Sequence, residues 1–205
     1  MKVKICGIQT FEHARAAEKA GADALGFIFA ESKRRISAVS AKQIISRLDD
    51  ESWKVGVFVN ENVETVKNVA RYCGLTAIQL HGEEEPADYL DVGLPIIKSI
   101  GIRSTEAEKD VKQIQAADYL LLDTSTHEYR GGSGVTFDWE QVRGIGHKFP
   151  NIILAGGLDS MNVCSAIDIV HPFMVDVSSG VEANGRKNTR KIFEFIIKAK
   201  EGITK

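Results

Sequence analysis

Eight short apolar runs recur along the chain with amphipathic segments between them, and this alternation constrains the fold more than any other feature. The runs are residues 3–6, 24–29, 55–59, 77–80, 95–100, 119–122, 152–155 and 173–177. They are near-continuously apolar and rich in β-branched or aromatic residues. A strand buried on both faces in a parallel sheet reads this way, whereas a half-solvated strand alternates. Residues 11–20, 63–72 and 189–200 instead carry apolar side chains at helical spacing, with charge on the opposite face. Gly21, Gly74 and Gly202 stand where helix C-caps belong. Pro95, Pro150 and Pro172 sit at or just before strand starts, where a missing N–H is tolerated.

Eight βα units in 205 residues leave about 25 residues each. This is the lower end of the range for a closed (β/α)8 TIM barrel, expected here as a single α/β domain over residues 1–205. The alternative is an open doubly wound sheet, with about five or six strands and a glycine fingerprint after the first. The first run ends in Cys6-Gly7-Ile8 rather than G-x-G-x-x-G, so the barrel is favoured.

Composition narrows the partners. An apolar fraction of 43% and a charged fraction of 26% belong to an ordinary soluble globular protein. A net charge of -2 gives no reason to expect nucleic acid or an acidic membrane surface. The chain has three cysteines at no disulfide-like spacing, which points to a reducing compartment. Its opening, MKVKICG, shows no apolar signal-peptide core, and no apolar run approaches the roughly 20 residues that span a bilayer. The expectation is a cytoplasmic enzyme or binding protein.

The last two runs each open into a loop of small residues. Gly156 and Gly157 follow the seventh; Ser178, Ser179 and Gly180 follow the eighth. Consecutive backbone N–H groups in such loops form nests that bind anions, and in a β/α barrel the phosphate sits after strands 7 and 8. Gly156, Gly157, Ser179 and Gly180 are therefore the expected phosphate contacts, and the ligand a phosphorylated small molecule. The stretch from Gly180 to Thr189 is a near miss of the P-loop pattern: Arg186 separates Gly185 from Lys187, and Asn188 replaces the magnesium-binding Ser or Thr.

Catalytic groups in this fold come from the C-terminal ends of strands. Cys6, His81, Asp123 and Asp176 stand there, with Lys98 near the end of the fifth. Alternation points Lys4 and Cys6 into the barrel and Val3 and Ile5 towards the helices. A thiol beside a cation and an anion nest has a lowered pKa and can act as a base; a small buried strand cysteine is the plainer alternative. Asp123 closes the run Tyr119-Leu120-Leu121-Leu122, in low-dielectric surroundings that suit a general acid, or it caps the next turn. Arg34 or Arg35, in the loop after the second run, can fork a carboxylate or remain a solvated pair of charges. His81 can donate a hydrogen bond or serve structure alone. Asp176 can orient a sugar hydroxyl or pair with Lys4 across the seam between strands 8 and 1. Cys73 and Cys164 fall in helical segments and read as structural. No metal is expected, since no HExxH, CxxC or clustered His/Asp ligand set occurs.

Nine motifs follow one another in a characteristic order: KICGI, GADALGFIF, SKRRIS, VGVFVN, QLHGEE, LLDT, GGSGVTFDW, LAGGL and VDVSSGVE. With them the chain resembles the phosphoribosylanthranilate isomerases of tryptophan biosynthesis, from Lys4 to about Lys187. The resemblance implies an Amadori rearrangement of N-(5-phosphoribosyl)anthranilate without a cofactor. It places the general base at Cys6 and the general acid at Asp123, and sets Arg34 against the anthranilate carboxylate. Arg35 stands where the family often has another residue, and Thr126 to Arg130 receive no role. The implied partner is the phosphosugar, with the chain a monomer or a homodimer. Two other classes compete. A metal-dependent pentose-phosphate epimerase would want His and Asp ligands at several strand ends, where only His81 is available. A non-catalytic phosphate-binding barrel would need no acid–base pair.

Overall fold

A computed structural model describes residues 1–101, 111–123 and 139–201 of the chain. Its eight parallel strands close into a barrel in sequence order: β1 (Lys2–Cys6), β2 (Ala24–Ile28), β3 (Trp53–Phe58), β4 (Ala77–Leu80), β5 (Ile96–Gly101), β6 (Tyr119–Asp123), β7 (Ile152–Leu154) and β8 (Met174–Val177). Closure runs through β8 onto β1, with Lys4 opposite Asp176. Each strand coincides with an expected apolar run to within two residues at either end.

Helices α1 (Phe11–Ala20), α2 (Ala38–Ile45) and α3 (Val63–Cys73) wrap the first three strands. Each begins at a side-chain cap: Thr10, Ser37 and Asn62 accept from the backbone N–H three residues on. Gly21 and Gly74 end α1 and α3 in the left-handed conformation; Gly202 lies outside the described residues. The repeating unit breaks after β4. There Pro86–Val92 forms a 3-10 helix, because only a short span separates β4 from β5 and Pro86 starts it at N1. Before β7 come a 3-10 turn, Trp139–Val142, and the short helix α4 (Ile145–Lys148). Helices α5 (Val163–Val170) and α6 (Thr189–Glu201) follow β7 and β8, and Cys73 and Cys164 lie on helices as expected.

Alternation along the strands divides the core. Outward residues such as Val3, Ile5, Leu25, Phe27, Ile78 and Leu122 pack under the helices; Ala24, Val55, Ala77, Ile97, Leu121, Ile153 and Met174 fill the barrel. At its N-terminal mouth Tyr119 stacks on Phe173 and meets Trp53 edge to face, with ring centroids 5.2 and 5.3 Å apart, and the Lys2 ammonium lies above Phe173. The interior is thus aromatic at the bottom, aliphatic in the middle and polar at the top, where the strand ends carry Cys6, Gln79, Asp123 and Asp176.

Candidate active site

A cavity of about 280 Å³ opens at the C-terminal ends of the strands. Cys6, Arg34, His81, Asp123, Gly156, Gly157, Asp176 and Ser179 all line it. Of the expected site residues only Gly180 stands back. A Cβ there would lie 1.9 Å from the Leu158 carbonyl oxygen, so this glycine lets the loops after β7 and β8 pack together.

Lys4 and Cys6 point inward, as period two requires. Lys4 is wholly buried, and its Nζ lies 3.0 Å from Asp176 Oδ2. Burial works against that charge, yet Asp176 and then Cys6 beside it hold the ammonium above its ordinary value. Asp176 Oδ1 is buried with no partner among the described residues. Pairing with Lys4 therefore uses one carboxylate oxygen and leaves the other on a cavity-lining side chain.

Space for Cys6 is made by β2. A Cβ on Gly26 would come 2.8 Å from Cys6 Sγ and 3.2 Å from Lys4 Nζ. The expectation of a lowered thiol pKa is corrected here. Burial pushes the Cys6 thiol up and outweighs the pull of Lys4, with Asp176 adding to the rise. Sequence adjacency reveals the cation but not the depth at which the thiol sits.

Asp123 ends β6, and His81 follows β4 with its Nε2 3.6 Å from Asp123 Oδ2. On the other side of the imidazole, Gln79 Nε2 donates to His81 Nδ1 at 2.9 Å. The ring proton then belongs on Nε2, facing Asp123. Burial pushes the imidazole below its ordinary range against the pull of Asp123, so it is neutral at neutral pH. The loop below His81 is fixed by Glu84, which accepts from the Asn60 and Gly82 N–H groups, and by Lys98, which donates to the Gly82 carbonyl. Thus Lys98 holds the loop and does not line the cavity.

In the β2 loop the register is plain. Arg34 is buried at the cavity wall; Arg35 is exposed and paired with Glu31. Arg34 folds back over Gly7, whose would-be Cβ lies 2.7 Å from Arg34 Cδ. Gly156 and Gly157 adopt φ of 84° and 66°, turning the chain after β7, and Asn162 pins the Gly157 carbonyl. Ser179 opens the 3-10 turn Ser179–Val181 after β8. The GGSG motif, Gly131 to Gly134, and Thr124 and Thr126 to Arg130 lie outside the described residues. Among those described, no group of three His, Cys, Asp or Glu side chains is placed to hold a metal ion.

Three buried side chains of this region escaped the sequence reading. Gln79 was legible, since it shares the inward phase of His81 two residues on. Glu182 and Lys187 were not: both lie in the stretch weighed as a phosphate loop.

A profile of the N-(5'phosphoribosyl)anthranilate (PRA) isomerase family matches residues 3–198. The chain is 50% identical over 204 residues to N-(5'-phosphoribosyl)anthranilate isomerase of Bacillus cereus (strain G9842), covering 98% of each. It also resembles the crystal structure of phosphoribosyl anthranilate isomerase from Thermotoga maritima, with a TM-score of 0.90 and 42% identity over 98% of this chain and 99% of that one. A crystal structure of phosphoribosyl anthranilate isomerase in complex with reduced 1-(o-carboxyphenylamino)-1-deoxyribulose 5-phosphate gives 0.86 and 40% over the same shares.

Proposed function

The chain belongs to the N-(5'-phosphoribosyl)anthranilate isomerase family, and from that premise we propose which of its residues carry the reaction. The reaction is the Amadori rearrangement of N-(5-phosphoribosyl)anthranilate to 1-(2-carboxyphenylamino)-1-deoxyribulose 5-phosphate, a step of tryptophan biosynthesis. The observation that supports the assignment most is that Cys6 and Asp123, on strands β1 and β6, line one cavity with Arg34 and the two small-residue loops.

Asp123 donates a proton to the ring oxygen. The C1'–O bond breaks towards that oxygen, and the nitrogen lone pair forms a protonated imine. Cys6 then takes the C2' proton as thiolate, and the C–H electron pair moves to neutralise the imine as an enolamine. Cys6 returns the proton to C1', and the enol proton passes to the Asp123 carboxylate, which gives the aminoketose and restores both groups. The order suits the electrostatics: the thiol, held protonated by burial, gives up its proton to bulk water through the open cavity, and the anion it leaves is most readily borne when the cationic imine stands beside it. His81, neutral with its N–H towards Asp123, steadies the carboxylate left behind. Gly156, Gly157 and Ser179 hold the phosphate by backbone N–H groups, with Gly180 shaping the loop. Arg34 takes the anthranilate carboxylate, and the free oxygen of Asp176 accepts from a sugar hydroxyl. Phosphate and carboxylate thereby fix the two ends of the substrate while the acid and base act between them.

The partners on this reading are the phosphosugar and, at most, a second copy of the chain. No helix among the described residues is long and apolar enough to cross a membrane, and we place the enzyme in the cytoplasm. Mixing the purified protein with N-(5-phosphoribosyl)anthranilate should change the anthranilate fluorescence as the substrate is consumed. Absence of turnover there, alongside turnover of the histidine-pathway aminoaldose, would overturn the substrate assignment.

A further inference from the structure

The strands β9 (Glu182–Ala183) and β10 (Arg186–Lys187) form a small hairpin directly after the loop of β8. Asn184 and Gly185 connect them, both at positive φ (53° and 73°), as a two-residue Asn-Gly turn requires. The hairpin pairs Glu182 with Lys187 across the strands. It thereby carries two buried charged side chains towards the cavity wall.

Glu182 receives Arg34 in a bidentate pair. Arg34 Nε donates to Oε1 at 2.6 Å and Nη2 donates to Oε2 at 3.0 Å. Both side chains are about nine-tenths buried or more. Lys187 Nζ donates to Glu182 Oε1 at 2.8 Å and to the Ser178 carbonyl at 3.0 Å; Ser178 Oγ in turn donates to the Cys6 carbonyl at 3.2 Å. The carboxylate thus ties the β2 loop to the ends of β8 and β1.

The geometry of the fork is informative. A guanidinium offers a side edge, formed by Nε–H and one Nη2–H, and an end edge, formed by Nη1–H and the other Nη2–H. Glu182 occupies the side edge alone, and Nη1 has no partner among the described residues. We infer that Glu182 is a positioning residue: it locks Arg34 by its side edge, so that the end edge meets the carboxylate of the substrate. Lys187 balances Glu182, because two carboxylates sharing one guanidinium would otherwise repel each other. The inference rests on the reading of Arg34 as the carboxylate contact.

The test compares wild type, Glu182→Gln, Glu182→Ala, Arg34→Ala and the Arg34→Ala/Glu182→Ala double variant for kcat, KM and inhibition by inorganic phosphate. Loss of a charge-assisted hydrogen bond costs about 10- to 100-fold. The expected result is a rise of that order in KM for both Glu182 variants, with kcat changed by only a few fold and phosphate inhibition unchanged. The double variant should be no worse than Arg34→Ala. Since Glu182→Gln keeps the shape of the side chain, it serves if Glu182→Ala folds poorly. Additive losses would overturn the inference, as would phosphate inhibition weakening in step with KM, which would mean that Glu182 merely supports the whole face. An active, Arg34-dependent wild type with unaffected Glu182 variants defeats the inference alone. A silent Arg34→Ala defeats the carboxylate assignment and the inference with it.

Discussion

Lys4 Nζ lies 3.0 Å from Asp176 Oδ2 across the β8–β1 seam that closes the barrel, and the lysine has no exposure to solvent. A buried pair of this kind is costly to break from one side, because the carboxylate left inside the barrel loses its counter-charge in a poorly solvated place. Lys4→Met should lower stability by about 3–5 kcal/mol, which for a chain of this size lowers Tm by roughly 6–20 °C. The double variant Lys4→Met/Asp176→Leu should recover much of that loss, since both charges are gone. Calorimetry on the three proteins checks it. A double variant less stable than Lys4→Met would mean that Asp176 is held by something other than Lys4.

Cys6→Ser and Asp123→Asn should each lower kcat by about 10²–10⁴-fold, the usual cost of removing a general base or acid. Both substitutions nearly preserve shape, so binding of a phosphorylated product analogue should persist. Steady-state kinetics with Asp176→Asn as a control decides between the carboxyls. An active Asp123→Asn beside an inactive Asp176→Asn would move the acid from β6 to β8.

How much of this site was legible in the sequence follows from period and distance. The inward phase of Lys4 and Cys6 needs only alternation along one strand, and Asp123 and Asp176 needed only their places at strand ends. The pairing of Asp176 with Lys4 was one of two readings, and barrel closure between β8 and β1 selects it for one oxygen while leaving the other. Glu182 and Lys187 are different. Their partners, Arg34 and Ser178, meet them only because an Asn-Gly turn folds a stretch of small and charged residues back on itself. Glycines of that stretch resemble a phosphate loop when read without the hairpin. The thiol of Cys6 shows the remaining limit. Its neighbour Lys4 is visible two residues away, whereas its burial is a property of the closed barrel.

Gly26→Ala should disable the enzyme without unfolding it. The added methyl would stand 2.8 Å from Cys6 Sγ, so the thiol must move by some tenths of an ångström or more. Misplacing a reacting group by about 1 Å costs on the order of 10²-fold. We expect a fall of up to that size in kcat, with the circular dichroism spectrum and phosphate inhibition retained. Wild-type kcat in Gly26→Ala would show that Cys6 need not sit where β2 makes room for it.

Acid should reveal the Glu182 network. Arg34 and Lys187 outweigh burial and hold the Glu182 carboxyl down at about 2. A carboxyl depressed on folding stabilises the native state above its unfolded pKa, and that contribution fades as pH falls towards the folded value. Wild type should therefore exceed Glu182→Gln in Tm at neutral pH, and the gap should close between about pH 5 and pH 2. A gap that stays constant through this window would show that Glu182 is not the titrating partner of Arg34 and Lys187.

The thiols should label in an order set by burial. Cys6 and Cys73 are buried, and burial pushes both thiols up; Cys164 is half-buried. The thiolate is the nucleophile, so a buried thiol held protonated reacts slowly. At neutral pH iodoacetamide should modify Cys164 first, with little loss of activity, since that residue lies on α5 beneath the Lys198 carbonyl, away from the cavity. Raising the pH through the alkaline range should bring in Cys6, and activity should then fall in step with its label. Inorganic phosphate should slow that second phase, by crowding the cavity and by adding negative charge near Cys6. Peptide mass mapping against residual activity follows both phases. Rapid labelling of Cys6 at neutral pH would show that Lys4 prevails over burial and that the free enzyme already carries the thiolate.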